Sequence, residues 1–160
     1  MKSPFWLDTN VYVEAKNRYY TFDRVPKFWS FLSSKLDDGS ICSPKNVYDE
    51  LVPYRDQLAA WAKARKARGL CVKTTDRQIQ IHVGEIADHV NARYERYKAQ
   101  EFLVGADPWV IACALHVGGT VVTIESTSRR KKIRIPAVCQ HFNVVCIDTF
   151  KMLEWFNAKF

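Results

Sequence analysis

Glycine and proline are scarce in this chain, six of each among 160 residues, which excludes collagen-like and low-complexity architectures. No Pro/Gly/Ser-rich linker and no internal repeat is present, so a single domain spanning residues 1–160 is expected. Long apolar runs are missing as well. The longest, Val110 to Ile124, is broken by His116, Gly118 and Gly119 and falls short of the roughly 20 residues a membrane-spanning helix needs. The apolar stretch near the N-terminus is cut by Asp8, so neither a secretory leader nor membrane insertion is expected.

Paired cysteines are also lacking. The five present, Cys42, Cys71, Cys113, Cys139 and Cys146, are odd in number and form no C-x-x-C pair, which predicts a reduced, cytoplasmic chain with thiols in the core. Cys139, His141 and Cys146 approach a soft-metal grouping, but no close cysteine pair accompanies them.

What is present suits a folded domain. Apolar residues make up 48% and aromatics 13%, and a chain of this length buries roughly 70% of the surface it exposes when unfolded. The net charge is +7, which favours polyanionic partners through counterion release. Much of the excess is local. The segment Arg55 to Arg68 reads as a solvated helix face, whereas Arg129, Arg130, Lys131, Lys132 and Arg134 form a denser run.

Strand and helix patterns alternate along the chain. Pro4 to Leu7 is a short apolar run before Asp8, a strand followed by a helix cap. Helical spacing of apolar residues follows from Pro26 to Leu36, with Gly39 as its stop. Ser40 to Cys42 is a minimal strand. Ser43 and Pro44 read as a cap and first position of a helix through Leu51, and Arg55 to Arg68 as a further helix ending at Gly69. Thr75 and Gln78 suggest a capping box opening the longest helix, which steps through Ile79, Val83, Ile86 and Val90 to Tyr94 and Tyr97. Gly105-Ala106-Asp107-Pro108 opens another, ended by Gly118-Gly119. Thr120 to Ile124 and Val144 to Ile147 have the β-branched character of buried parallel strands, with short helices over Pro136 to Phe142 and Thr149 to Phe156. The expected fold is a three-layer α/β/α sandwich around a mostly parallel sheet. Ligands of such sheets bind beyond the carboxyl ends of the strands.

Four acids belong at that edge. Asp8 and Glu125 directly follow strands. On the helix from Pro44, at about 100° per residue, Glu50 lies about 60° from Val47 whereas Asp49 lies roughly 160° from both Val47 and Leu51, so Glu50 looks inward. Asp107 shares a face with Val110, Ile111 and Ala114. Singly, each acid has an ordinary explanation: Asp8 and Asp107 as helix caps, Glu50 as an ion-pair partner, Glu125 as a loop cap. Together they do not. Two like charges about 4 Å apart repel by roughly 4 kcal/mol at an effective dielectric near 20, so a positive group belongs among them, either Lys/Arg side chains or a hard divalent cation with oxygen ligands. An acidic pocket in a basic chain suggests a phosphate ester as ligand.

These segments resemble the PIN-domain nucleases, including the VapC-type toxins of toxin–antitoxin pairs. The resemblance rests on Leu7-Asp8-Thr9-Asn10, on Pro44 to Leu51 with Tyr48-Asp49-Glu50-Leu51, on Ala106-Asp107-Pro108-Trp109-Val110-Ile111-Ala112, and on Val121-Val122-Thr123-Ile124-Glu125. Within that group the chain looks closest to an uncharacterised PIN-like subfamily with Glu rather than Asp at the position of Glu125, followed by Ile135-Pro136 and Cys139. The resemblance implies a PIN-like fold and endonucleolytic hydrolysis of RNA with Mg²⁺ or Mn²⁺. Asp8, Glu50, Asp107 and Glu125 would be catalytic metal ligands, Asn10 and Ser126 supporting donors, and Arg129, Arg130, Lys131, Lys132 and Arg134 contacts to the RNA backbone. It further implies an antitoxin protein as partner and leaves a homodimer open, through Tyr19, Tyr20 and Phe22 unless those rings cover the helix from Pro26.

Other readings fit less well. A haloacid-dehalogenase-type phosphatase needs a second Asp where Asn10 stands, and a receiver-like domain needs a late Lys after a strand. A PIN-like module that binds RNA or protein without cutting remains the alternative.

Overall fold

Three-residue strands with no polar side chain survive only where both faces of a sheet are covered, and the N-terminal strand has that character. The computed structural model describes residues 4–124 and 132–160. In chain order these form β1 (Phe5–Leu7), α1 (Thr9–Glu14), which continues into a π-helical turn (Ala15–Tyr19), α2 (Pro26–Asp37), β2 (Ile41–Cys42), α3 (Lys45–Leu51), α4 (Gln57–Ala64), α5 (Arg77–Arg93), α6 (Arg96–Val104), α7 (Asp107–Val117), β3 (Thr120–Val122), α8 (Ile135–His141), β4 (Cys146–Ile147) and α9 (Thr149–Trp155).

All three strand pairings are parallel, in the order β2-β1-β3-β4. Phe5 pairs with Ile41 on one side and Thr120 on the other, and Phe5, Trp6 and Leu7 are all buried. This is the both-faces-covered pattern of parallel sheets. The Phe5 ring meets Trp155 and Phe156 edge-on at 5.1 and 5.3 Å, while α7 lies against β1 and β3 and carries α5 on its outer side. From β1 the chain moves to β2 on one flank and then crosses to β3 on the other. The crevice where the strand order reverses therefore lies at the carboxyl ends of β1 and β3, which is where open α/β sheets bind ligands.

Several local expectations are corrected. The helix expected through Tyr97 stops at Arg93, with Tyr94 extended, and α6 starts afresh. Its cap is Asp76, whose side chain accepts from the Gln78 N–H, rather than Thr75. Asp fits because its carboxylate suits the positive end of a helix. The segment Arg55 to Arg68 is not one helix: Arg55 is left-handed, α4 covers only Gln57–Ala64, and a π turn follows. Pro44 rather than Ser43 is the cap of α3, because the Ser43 hydroxyl is taken by the Leu7 carbonyl and Tyr12. Asp107 is the first residue inside α7 and Ala106 its cap. The strand expected to Ile124 ends at Val122. Of the two placements open to them, Tyr20 and Phe22 take the packed one, stacking on Phe28 and Trp29 of α2 at 4.3 and 4.0 Å; Tyr19 remains exposed.

Gly119 is where α7 turns back into β3. A Cβ there would lie 2.7 Å from the Pro4 carbonyl oxygen and 2.9 Å from the Trp6 ring, and neither neighbour is a flexible chain end. Gly119→Ala is expected to lower stability by about 1–3 kcal/mol. Gly84→Ala, exposed in α5 with nothing within 4 Å, is expected to raise it by about 0.5–1 kcal/mol. Urea unfolding of both variants checks the pair; equal effects would contradict the close approach.

Candidate functional site

Asp8 follows β1 directly and is 1% exposed. Its backbone N–H donates to the Val122 carbonyl at 3.1 Å, continuing the β1–β3 ladder. As the cap of α1 its Oδ1 accepts from the Asn10 N–H at 3.1 Å, and its Oδ2 accepts from the Thr123 hydroxyl at 2.5 Å. Burial pushes the Asp8 carboxyl above the usual carboxylate range; the Thr123 and Asn10 hydrogen bonds oppose that shift, the Glu50 carboxylate adds to it, and Lys132 opposes it.

Glu50 reaches the same crevice from α3. Its Oε1 accepts from the Ala106 N–H at 2.7 Å and its Oε2 from the Thr9 hydroxyl at 3.0 Å. Asp49, one residue earlier, instead pairs with Lys45 on the outside of the helix. The helical phase that separates these neighbours in the sequence separates them in space.

Asp107 opens α7 beside the Ala106 N–H that holds Glu50. Its carboxyl is pushed up to about 7, first by burial, then by the charges of Asp8 and Glu50, with Lys132 pulling the other way. Three acids remote in sequence are thus within electrostatic reach of one another, and Lys132 acts on Asp8 and Asp107. Lys132 and Asp107 also border a small hollow of about 80 Å³, with Lys98, Glu101, Phe102 and Ile133.

The remaining candidate positions divide as follows. Asn10 contributes its backbone N–H to Asp8. Arg134 is exposed and caps α8. Glu125, Ser126, Arg129, Arg130 and Lys131 lie outside the described residues. Two hydroxyls escaped the sequence reading: Thr123, which holds Asp8, and Thr9, which holds Glu50. Thr123 read as one more β-branched strand residue. What places it is register: Leu7 pairs with Val122, and the residues that follow the two strands are Asp8 and Thr123.

The donor set is all oxygen, the chemistry that hard divalent cations select. Among the described residues, no three His, Cys, Asp or Glu side chains stand close enough to hold a metal ion in their present positions. Both Glu50 oxygens are engaged by Thr9 and Ala106, so Glu50 would have to exchange at least one of these bonds to become a ligand.

Among solved structures, a chain of VapBC2 from Rickettsia felis, bound to a DNA fragment from their promoter, is similar with a TM-score of 0.52. The likeness covers 90% of this chain and 97% of that chain at 13% identity, so it concerns the fold. The PIN-like α/β architecture expected from the sequence is the one observed. No curated protein matches the chain. The family described as "Domain of unknown function (DUF4411)" matches residues 5–160, from the first residue of β1 onward, and the chain belongs to that family.

Proposed function

We propose that this chain is a metal-dependent endoribonuclease in which Asp8, Glu50 and Asp107 hold Mg²⁺ or Mn²⁺, and that it is the toxin of a toxin–antitoxin pair. The observation that carries the reading is that three carboxylates from separate elements, Asp8 after β1, Glu50 of α3 and Asp107 of α7, act electrostatically on one another at the carboxyl end of the sheet, with Asp107 raised to about 7. A buried acid surrounded by two others has two ways to lower its energy: it keeps its proton, or it shares a divalent cation. Glu125 completes the proposed set by sequence order, two residues after Thr123, with Ser126 beside it.

When bound, the ion would supply an activated water and positive charge for the phosphate in the transition state. The chain's own groups do the rest. The Thr123 hydroxyl and Asn10 N–H fix both oxygens of Asp8, leaving the remaining lone pairs for a ligand. Thr9 and the Ala106 N–H keep Glu50 poised at the rim. Lys132, with Arg129, Arg130, Lys131 and Arg134, would hold the RNA backbone beside the site. The fold neighbour belongs to a toxin–antitoxin complex, which supports seeking a cognate antitoxin. A homodimer is a further proposal.

A second reading, a PIN-like module that binds RNA or protein without cutting, is favoured by one observation: among the described residues the acids do not close a metal shell as they stand. Single-stranded RNA incubated with Mg²⁺, Mn²⁺ or EDTA separates the two. For the nuclease, Asp8→Asn and Asp107→Asn are expected to lower metal-dependent cleavage by at least about 100-fold, and Thr123→Val by about 10- to 100-fold through loosened support of a ligand. Cleavage that survives EDTA or Asp8→Asn would overturn the assignment; binding without cleavage would favour the module.

The raised Asp107 pKa makes a separate prediction about stability. The folded state holds this proton up to about pH 7, whereas the unfolded chain releases it near pH 4. The folded state therefore binds more protons between those values, and the stability contribution of this group falls as pH rises from about 4 to about 7. In EDTA, Asp107→Asn is expected to lose most of that fall and to melt above the wild type near pH 8. Millimolar Mn²⁺ should raise the wild-type melting temperature there and leave the variant nearly unchanged. Parallel melting profiles for the two proteins would contradict the coupling.

A further inference from the structure

A second cavity adjoins the carboxylates through a single side chain. Thr123, whose hydroxyl holds Asp8, also forms part of the wall of a hollow of about 480 Å³ at the carboxyl ends of β3 and β4. Its other walls include Tyr19, Cys146, Asp148, Phe150 and Lys151. The size falls within the usual range for small-ligand sites.

Tyr19 and Phe150 set its character. Their rings meet edge-on, 5.1 Å apart at 87°, and they are 46% and 45% exposed. Two large rings that cover each other only at an edge leave aromatic faces open to a planar ligand. Tyr19 is the last residue of the π-helical turn after α1, a rare conformation found often at functional sites. Lys151 brings a cation into the same wall. The larger hollow between α2 and α4, about 710 Å³, lacks these features: Phe22 is stacked on Trp29, Trp29 packs against Trp61, and Arg65 is paired with Asp37.

We propose that the cavity bounded by Tyr19, Thr123, Phe150 and Lys151 is a subsite for an unpaired nucleobase of single-stranded RNA. This rests on the nuclease reading for its choice of polymer. The base stacks on the exposed aromatic pair, Lys151 faces the adjoining phosphate, and the chain then passes Thr123 to reach the carboxylates. A duplex keeps its bases stacked inward and cannot fill such a hollow, so the subsite selects single strands.

The test uses the full chain in EDTA, with a single-stranded RNA carrying 2-aminopurine and the same RNA made abasic at that position. Wild type is expected to quench the 2-aminopurine fluorescence on binding. Phe150→Ala and Tyr19→Ala should each bind the base-containing RNA about 10-fold more weakly, with the quench lost, and Phe150→Trp should restore both. On abasic RNA, wild type and Phe150→Ala should bind equally. Far-UV circular dichroism confirms that each variant is folded; should Phe150→Ala be unfolded, Phe150→Leu, which keeps apolar bulk without a ring, decides.

The subsite is overturned if the ring variants bind the base-containing RNA as wild type does, or lose the same factor on abasic RNA. It is also overturned if wild type binds no RNA, the outcome expected of a surface for a protein segment. Base-dependent binding without Mg²⁺-dependent cleavage would support the subsite while overturning the nuclease. Cleavage with unaltered Phe150→Ala binding would do the reverse.

Discussion

The Asp8 carboxylate stands at the mouth of the sheet, buried between β1 and β3, and the surrounding architecture is organised around keeping it there. An ionised carboxylate withdrawn from water costs several kcal/mol unless its oxygens are satisfied. One oxygen is satisfied by the Asn10 N–H at the start of α1 and the other by Thr123 after β3. The acid therefore joins three elements: β1, which it ends, α1, which it caps, and the segment leaving β3. On the opposite flank a neutral network does similar work. Ser43, just after β2, donates to the Leu7 carbonyl and shares a 2.7 Å hydrogen bond with Tyr12 of α1, all fully buried. The carboxyl end of β1 is thus fastened to both neighbouring strands by side chains. That compensates for strands of only two or three residues, whose backbone ladders are short.

The fold was legible where a pattern carried it. The Phe5–Leu7 run, the β-branched residues around Val121 and the helical spacing after Pro26 each specify an element through burial alone. The misread features turn on competition between local groups and distant partners. Ser43 looks like a helix cap until the Leu7 carbonyl, 36 residues away, claims its hydroxyl. The apolar steps from Val90 to Tyr94 and Tyr97 continue a helical period, yet the backbone turns extended at Tyr94 and a new helix begins. Periodicity reports which face would be apolar if the helix continued; after the break Tyr97 is exposed and α6 buries Ala99 and Phe102 instead.

The site shows the same division. Choosing Glu50 over Asp49 needed only helical geometry, since the two lie about 100° apart on a helix with a known apolar face. Thr9 and Thr123 were invisible because hydroxyl supports are common residues whose role depends on strand register, and register is a tertiary fact. Lys132 was legible as part of a basic run. Its electrostatic influence on Asp8 and Asp107 was not, because composition does not say which carboxylates a basic residue approaches.

Asp107 shows which force governs the centre. It occupies the first turn of α7, an eleven-residue helix, where the helix dipole favours a negative charge by about 0.3–1 kcal/mol. Yet its carboxyl moves from 3.8 to about 7, and that displacement corresponds to on the order of 4 kcal/mol against ionisation. Burial and the two neighbouring carboxylates therefore outweigh the dipole several-fold, and Lys132 does not restore the balance. The described residues by themselves leave negative charge at this crevice undercompensated. A ligand bearing two positive charges has the sign and size to make up the difference, and it would gain most at the pH where Asp107 must otherwise give up its proton unaided.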